Sequence, residues 1–198
     1  ELIKTTEDGQ FLFGLGRDAG GSSTFVISDS NGRTVEQEYS VASRDYQIQR
    51  IEGVPQRTVE PPAEQLQRIK SDSRLVKAAR QQVTGKTDFL QGFIKPLDGP
   101  KTGVYGSQRF YNGVPRSPHY GVDYAAPAGT VVVAPAAGVV RLAHPDLFYS
   151  GGTMIIDHGH GLTSSFLHLS EILVDAGSRV ERGDSIARVG ATRSEEHT

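Results

Sequence analysis

Between Phe11 and about Val54 the apolar residues fall in short runs, FLFGLG, STFVISD and RTVEQEYSVA, separated by the turn pairs Asp8-Gly9, Gly20-Gly21 and Asn31-Gly32. Short β-prone runs between such turns predict a small antiparallel β unit, taken as residues 1–58. Its Arg44, Asp45 and Tyr46 match no catalytic set, so a structural or docking module is expected. The period then changes. After Pro61-Pro62, residues Leu66, Ile69, Val76, Ala79 and Val83 recur at helical spacing until Gly85. This predicts one amphipathic helix of about five turns, inside a connector over 59–90. Its interspersed charges read as a solvated face. From Phe89 onward, turn residues return at Pro96, Gly99-Pro100, Gly103 and Gly106, followed by GTVVVAP, GVVRLA and GGTMIIDHG. No helix-length segment separates these strands, which predicts an antiparallel sheet over 91–192 rather than βαβ units. The expected class is mainly β: an N-terminal antiparallel unit, one connecting helix and a C-terminal antiparallel sheet domain.

Charge and composition then remove several functions. The 21 Lys+Arg and 23 Asp+Glu give a formal net charge of -2, without the basic stripe that nucleic-acid binding needs. No apolar run approaches the roughly 18 residues that span a bilayer. There is no cysteine, so a metal site would use nitrogen and oxygen ligands, and disulfides are excluded. The chain opens at Glu1 without an initiator Met, so a preceding segment, with any membrane anchor, is expected upstream.

The candidate chemistry begins in SPHYGVDYAAPAGT, residues 117 to 130, where His119 and Asp123 stand four apart around Gly121. Pro118 and Pro127 argue against a helix that would bring them together. In a straight strand four steps would separate their Cα atoms by roughly 13 Å, too far for two ligands of one ion. The chain is therefore expected to bend at Gly121. Downstream, DHGHGLTSSFLHLSEI holds His158, His160 and His168. His158 and His160 would share a strand face, but Gly159 and Gly161 predict a turn over 157–161 that breaks this geometry. His168 and Phe166 would face one side of an alternating strand.

Taken together, SPHYGVDYAAPAGTVVVAPAAGVV, GGTMIIDHGHGLTSSFLHLS and VDAGSRVERGDSIARVGAT resemble the lysostaphin-like (LytM-type) zinc peptidases of bacterial cell walls, in unbroken order over about 96–192. The resemblance implies a Zn2+ cofactor with His119 and Asp123 as metal ligands, and His168 as a catalytic histidine. It implies a peptidoglycan peptide as substrate and partner, and a location in the periplasm or cell envelope. The family's third ligand is the second histidine of a His-x-His that follows a Gly-Ala-Thr-Gly-like stretch, with the first lining the site as a second catalytic imidazole. Gly190-Ala191-Thr192 is present, and the chain then reads RSEEHT. That ending, Arg193–Thr198, back-translates as AGATCGGAAGAGCACACG, the start of a common short-read sequencing adapter. Residues 193–198 are therefore expected to be a non-native tail, with the domain over 91–192 incomplete. Finding RSEEHT in intact genomic DNA at this locus would sink the idea. With two of three ligands, the chain as given is expected to bind zinc weakly and hydrolyse little.

Two other readings are open to these residues. One is a non-catalytic LytM-type domain that binds the wall or activates an amidase; retention of His119, Asp123 and His168 disfavours it. The other takes VDAGSRVERGDSIARVG as a lipoyl- or biotinyl-type carrier hammerhead. It fails because no lysine follows Lys101.

Overall fold

The computed structural model describes residues 5–28, 31–53 and 63–190. Its elements run β1 (Gly21–Ser28), β2 (Thr34–Val41), β3 (Ile48–Ile51), α1 (Leu66–Arg80), β4 (Lys101–Gly103), β5 (Gln108–Tyr111), β6 (Val114–Pro115) and β7 (Asp123–Tyr124). They continue with β8 (Val131–Val133), β9 (Gly138–Leu147), β10 (Gly151–Gly159), β11 (Leu162–Ile172), β12 (Arg179–Val180) and β13 (Ser185–Val189). By internal contacts the chain divides into two units, one of 13–54 with 103–122, the other of 1–12, 55–102 and 123–198.

In the first unit, β1 and β2 form the expected antiparallel hairpin, registered from Gly21 opposite Val41 to Ser28 opposite Thr34. FLFGLG, expected as a strand, contributes only the bridge between Phe11 and Thr5, residues of the other unit, among the described residues. β3 does not extend the hairpin. It pairs in parallel with β5, which also pairs antiparallel with β6. A parallel partner must come from a distant part of the chain, so local turn signals could not announce it.

In the second unit β12-β9-β10-β11-β13-β8 form one antiparallel sheet, as the run of short strands predicts. Val132, Val140, Met154, Ile156, Leu169, Val180 and Ile186 form its core. Every residue of the central strand β10 is buried, because α1 and the 3-10 turn Asp88–Gln91 also pack against it. Burial on both faces explains why MII is apolar without a break. Helix α1 packs against β9 and β10 with Ile69, Val76 and the buried Ala79 turned inward. It is shorter than its pattern predicts: it ends at Arg80, not near Gly85, and Val83 is exposed. The connector after it serves the sheet instead. The Thr84 carbonyl accepts from the His160 N–H at 2.9 Å, and the Thr84 hydroxyl donates to the Asp157 carboxylate at 3.0 Å. The start at Pro61-Pro62 lies outside the described residues. Arg179 of β12 donates to both carboxylate oxygens of Asp88, at 2.6 and 2.8 Å, and to Glu181. Those bonds, the Asp88 pair first, hold its guanidinium above its ordinary range.

Candidate metal and catalytic site

His119 follows β6 in an extended segment that cannot satisfy its own backbone, and the loop at 104–107 does so for it. The His119 N–H donates to the Ser107 carbonyl at 2.9 Å, and the His119 carbonyl accepts from the Gly106 N–H at 2.7 Å. The ring is fixed by the same loop, with Nδ1 lying 3.1 Å from the Val104 carbonyl. A carbonyl can only accept, so Nδ1 carries a proton in this contact. This is how a metal-ligating imidazole is ordinarily oriented by its surroundings. No sequence pattern pointed to Val104 or Ser107, since they act through backbone carbonyls. The only local signal is Gly106, with φ of 89°, a conformation that side chains resist.

The chain does bend at Gly121, as the spacing predicts. Gly121 is not among the glycines with positive φ, so the bend does not draw on left-handed backbone. The absence of a side chain has a different effect: a Cβ there would stand 3.5 Å from His119 Nε2. Asp123 begins β7, which pairs with β4 in a two-stranded sheet, and it is half-buried.

His168 departs from the expected alternation. Gly152 faces Leu169 and Met154 faces Phe166, so Leu167 and His168 together oppose Thr153. This is a β-bulge, and His168 takes up the excess with φ of 60°. Consequently Phe166 and Leu169, three apart, both reach the core, while Leu167 is exposed. A regular strand of period two cannot do that. The bulge is pinned on both sides, the His168 N–H donating to the Ser150 carbonyl at 2.9 Å and its carbonyl accepting from the Gly190 N–H at 3.0 Å. Left-handed non-glycine backbone and bulges are both found where a side chain is re-aimed at a functional site.

His158 and His160 do not form a ligand pair. Strand β10 runs through Gly159, further than the expected turn allowed, and His160 and Gly161 make the two-residue turn with φ of 50° and 80°. That is the signature of a tight hairpin with both central residues left-handed. His158 is fully buried, with Nδ1 2.7 Å from the Ala137 carbonyl and Nε2 2.8 Å from the Ser164 hydroxyl. Its Nε2 lone pair therefore accepts from Ser164. The Phe93 ring stands edge-on to it at 5.1 Å. The neighbouring Asp157 accepts from Arg141, Thr84 and the Gly159 N–H. These are satisfied core groups.

Among the described residues no three His, Cys, Asp or Glu side chains gather into a metal-binding set. What is present fits zinc in kind: an imidazole nitrogen donor, oriented through its Nδ1 contact, and a carboxylate four residues on. A groove of about 470 Å3 opens between α1 and the β9–β10 turn, but none of the candidate residues lines it. No helix among the described residues is long and apolar enough to cross a membrane.

Residues 117–198 match the sequence profile of Peptidase family M23. The peptidoglycan DD-endopeptidase ShyA of Vibrio cholerae is 42% identical over 78 residues, 38% of this chain and 17% of that protein. A metalloprotease of Haemophilus influenzae is 39% identical over 75 residues, covering 38% of this chain and 16% of that protein. The match thus spans about a sixth of each of these relatives. A crystal structure described as a peptidase M23 from Pseudomonas aeruginosa superposes with a TM-score of 0.70 at 31% identity, covering 96% of this chain and 71% of that one.

Proposed function

This chain belongs to peptidase family M23, and on that premise we propose that its parent protein is a zinc-dependent endopeptidase that hydrolyses peptide cross-links of bacterial peptidoglycan in the periplasm or cell envelope. The observation that carries the reading is the His119 ring, whose orientation is fixed through Nδ1 by the Val104 carbonyl, the way surroundings orient a metal-ligating imidazole. The DD-endopeptidase name of the Vibrio relative supports the substrate class. We take the peptidase domain as 91–192, joined by the connector 59–90 to the N-terminal residues 1–58.

His119 and Asp123 would hold the ion, with a third ligand from outside the described residues. Zinc supplies Lewis-acid polarisation of the scissile amide and makes water a competent nucleophile near neutral pH. His168 is the candidate to accept the proton of the attacking water or to donate a hydrogen bond to the developing oxyanion. Its bulge, held from Ser150 and Gly190, keeps that imidazole from swinging with a flexible strand.

The test is to incubate the full-length protein with purified peptidoglycan and analyse the released fragments by mass spectrometry. Hydrolysis is expected, lost on chelation, restored by zinc, and absent in His119→Ala. Wall binding without any fragment release in zinc would refute the enzyme and favour a non-catalytic domain.

A further inference from the structure

Arg17 and Tyr46 lie in the N-terminal stretch to which the residue pattern assigns no chemistry, yet both press on the loop that holds His119. The Arg17 Nε–H donates to the Gly106 carbonyl at 2.7 Å. The Tyr46 hydroxyl donates to the Arg17 carbonyl at 2.8 Å, and the Arg17 guanidinium lies 4.1 Å from the centre of the Tyr46 ring. Each residue thus fixes the other. The Arg17 side chain is only 11% exposed and also pairs with Asp18, so it is not a free surface cation.

Gly106 is the point on which both act. Its N–H is given to the His119 carbonyl while its own carbonyl takes the Arg17 bond. A Cβ on Gly106 would collide with the Tyr46 ring, so the ring occupies the place a side chain would need. From Tyr46 an edge-on aromatic row continues through Tyr105, at 6.5 Å, to Tyr120, at 6.2 Å, the residue after His119. An arginine hydrogen bond, a half-buried aromatic ring and a row of rings therefore converge on the segment that supplies the Val104 and Ser107 carbonyls.

We propose that Arg17 and Tyr46 are positioning residues for the metal ligand His119: they lock the 104–107 loop so that its carbonyls present Nε2 in the zinc-binding tautomer. The N-terminal residues would then contribute directly to metal affinity instead of serving only as an appendage. The inference rests on the peptidase reading above. Partners that orient a ligating histidine are commonly worth ~10- to 100-fold in metal affinity, and a group acting one step further back is expected near the lower end.

The experiment uses the full-length protein labelled with 15N-histidine. In the zinc-free wild type the His119 ring should show its proton on Nδ1. Arg17→Met keeps the aliphatic stem and removes the donor. It should shift His119 toward the Nε2-protonated form and weaken zinc binding, measured by chelator competition, by ~10-fold. Arg17→Lys should recover part of both. Tyr46→Phe keeps the ring against Gly106 and loses only the hydroxyl bond, so it should show a smaller change in the same direction. A lowered melting temperature with wild-type ring signals and wild-type zinc affinity in Arg17→Met would reduce the pair to ordinary packing and overturn the proposal. Should that variant not fold, Tyr46→Phe decides the matter by the same two readouts. Unchanged zinc affinity in His119→Ala would instead sink the peptidase reading, while the ring signature in Arg17→Met still reports whether the lock exists.

Discussion

Replacing His158 by Ala separates a core histidine from a metal ligand most sharply. The side chain is fully buried, bonded through both ring nitrogens and packed edge-on against Phe93. Truncation removes a buried ring, and aromatic-to-Ala changes in cores cost about 3–5 kcal/mol from lost contacts and the cavity left behind. It also leaves the Ala137 carbonyl without its partner, a cost of about 1–3 kcal/mol if water does not replace it. The Ser164 hydroxyl is half-buried and can turn to water, so it adds little. A net loss of at least about 4 kcal/mol is expected, which for a chain of this size lowers the melting temperature by at least about 8–16 °C. Thermal unfolding should be followed by circular dichroism on metal-free full-length protein, because bound zinc would add its own stabilisation. Zinc affinity, measured well below the transition by chelator competition, should stay within about threefold of wild type, since the ring offers no lone pair to the ion. A melting temperature within about 2 °C of wild type together with a hundredfold loss of zinc affinity would refute the reasoning and make His158 a ligand.

Three further outcomes are expected. His168→Gly should lower hydrolysis by about 10²- to 10⁴-fold with no loss of melting temperature, because glycine accepts the left-handed backbone more readily than histidine does; equal losses of both would assign His168 to the fold. Gly159→Ala should be destabilised by about 2–4 kcal/mol in a denaturant titration, since φ there is 99° and the new methyl would collide with the Lys86 carbonyl; a stability within error of wild type would show that the connector is not seated on the hairpin. Arg141→Met removes the one cationic donor to the fully buried Asp157 among the described residues, and a loss of about 3 kcal/mol is expected from thermal unfolding at neutral pH; a neutral result would mean that Thr84 and the Gly159 N–H suffice.

The residue pattern alone located the two β-rich stretches, the helix between them, and the glycine-punctuated strands that became β8 to β13. These are short-range consequences: β-branched runs, turn glycines and helical spacing act within a few residues. The candidates His119, Asp123 and His168 were also legible in the sequence, through a resemblance that spans ordered motifs rather than through any one of them. Other features were decided only by parts of the chain far apart in sequence. The pairing of β3 with β5 joins positions about sixty residues apart, and no local propensity encodes it. The His168 bulge exists because β10 and β11 must each keep their apolar residues in one core, and the surplus residue is expelled where Gly152 and Gly190 let backbones approach. The orientation of the His119 ring is set by a carbonyl fifteen residues earlier, and the loop carrying it is held by Arg17, nearly ninety residues before Gly106. Backbone carbonyls have no residue identity, so their placement is invisible in sequence and appears only once the chain has folded around them.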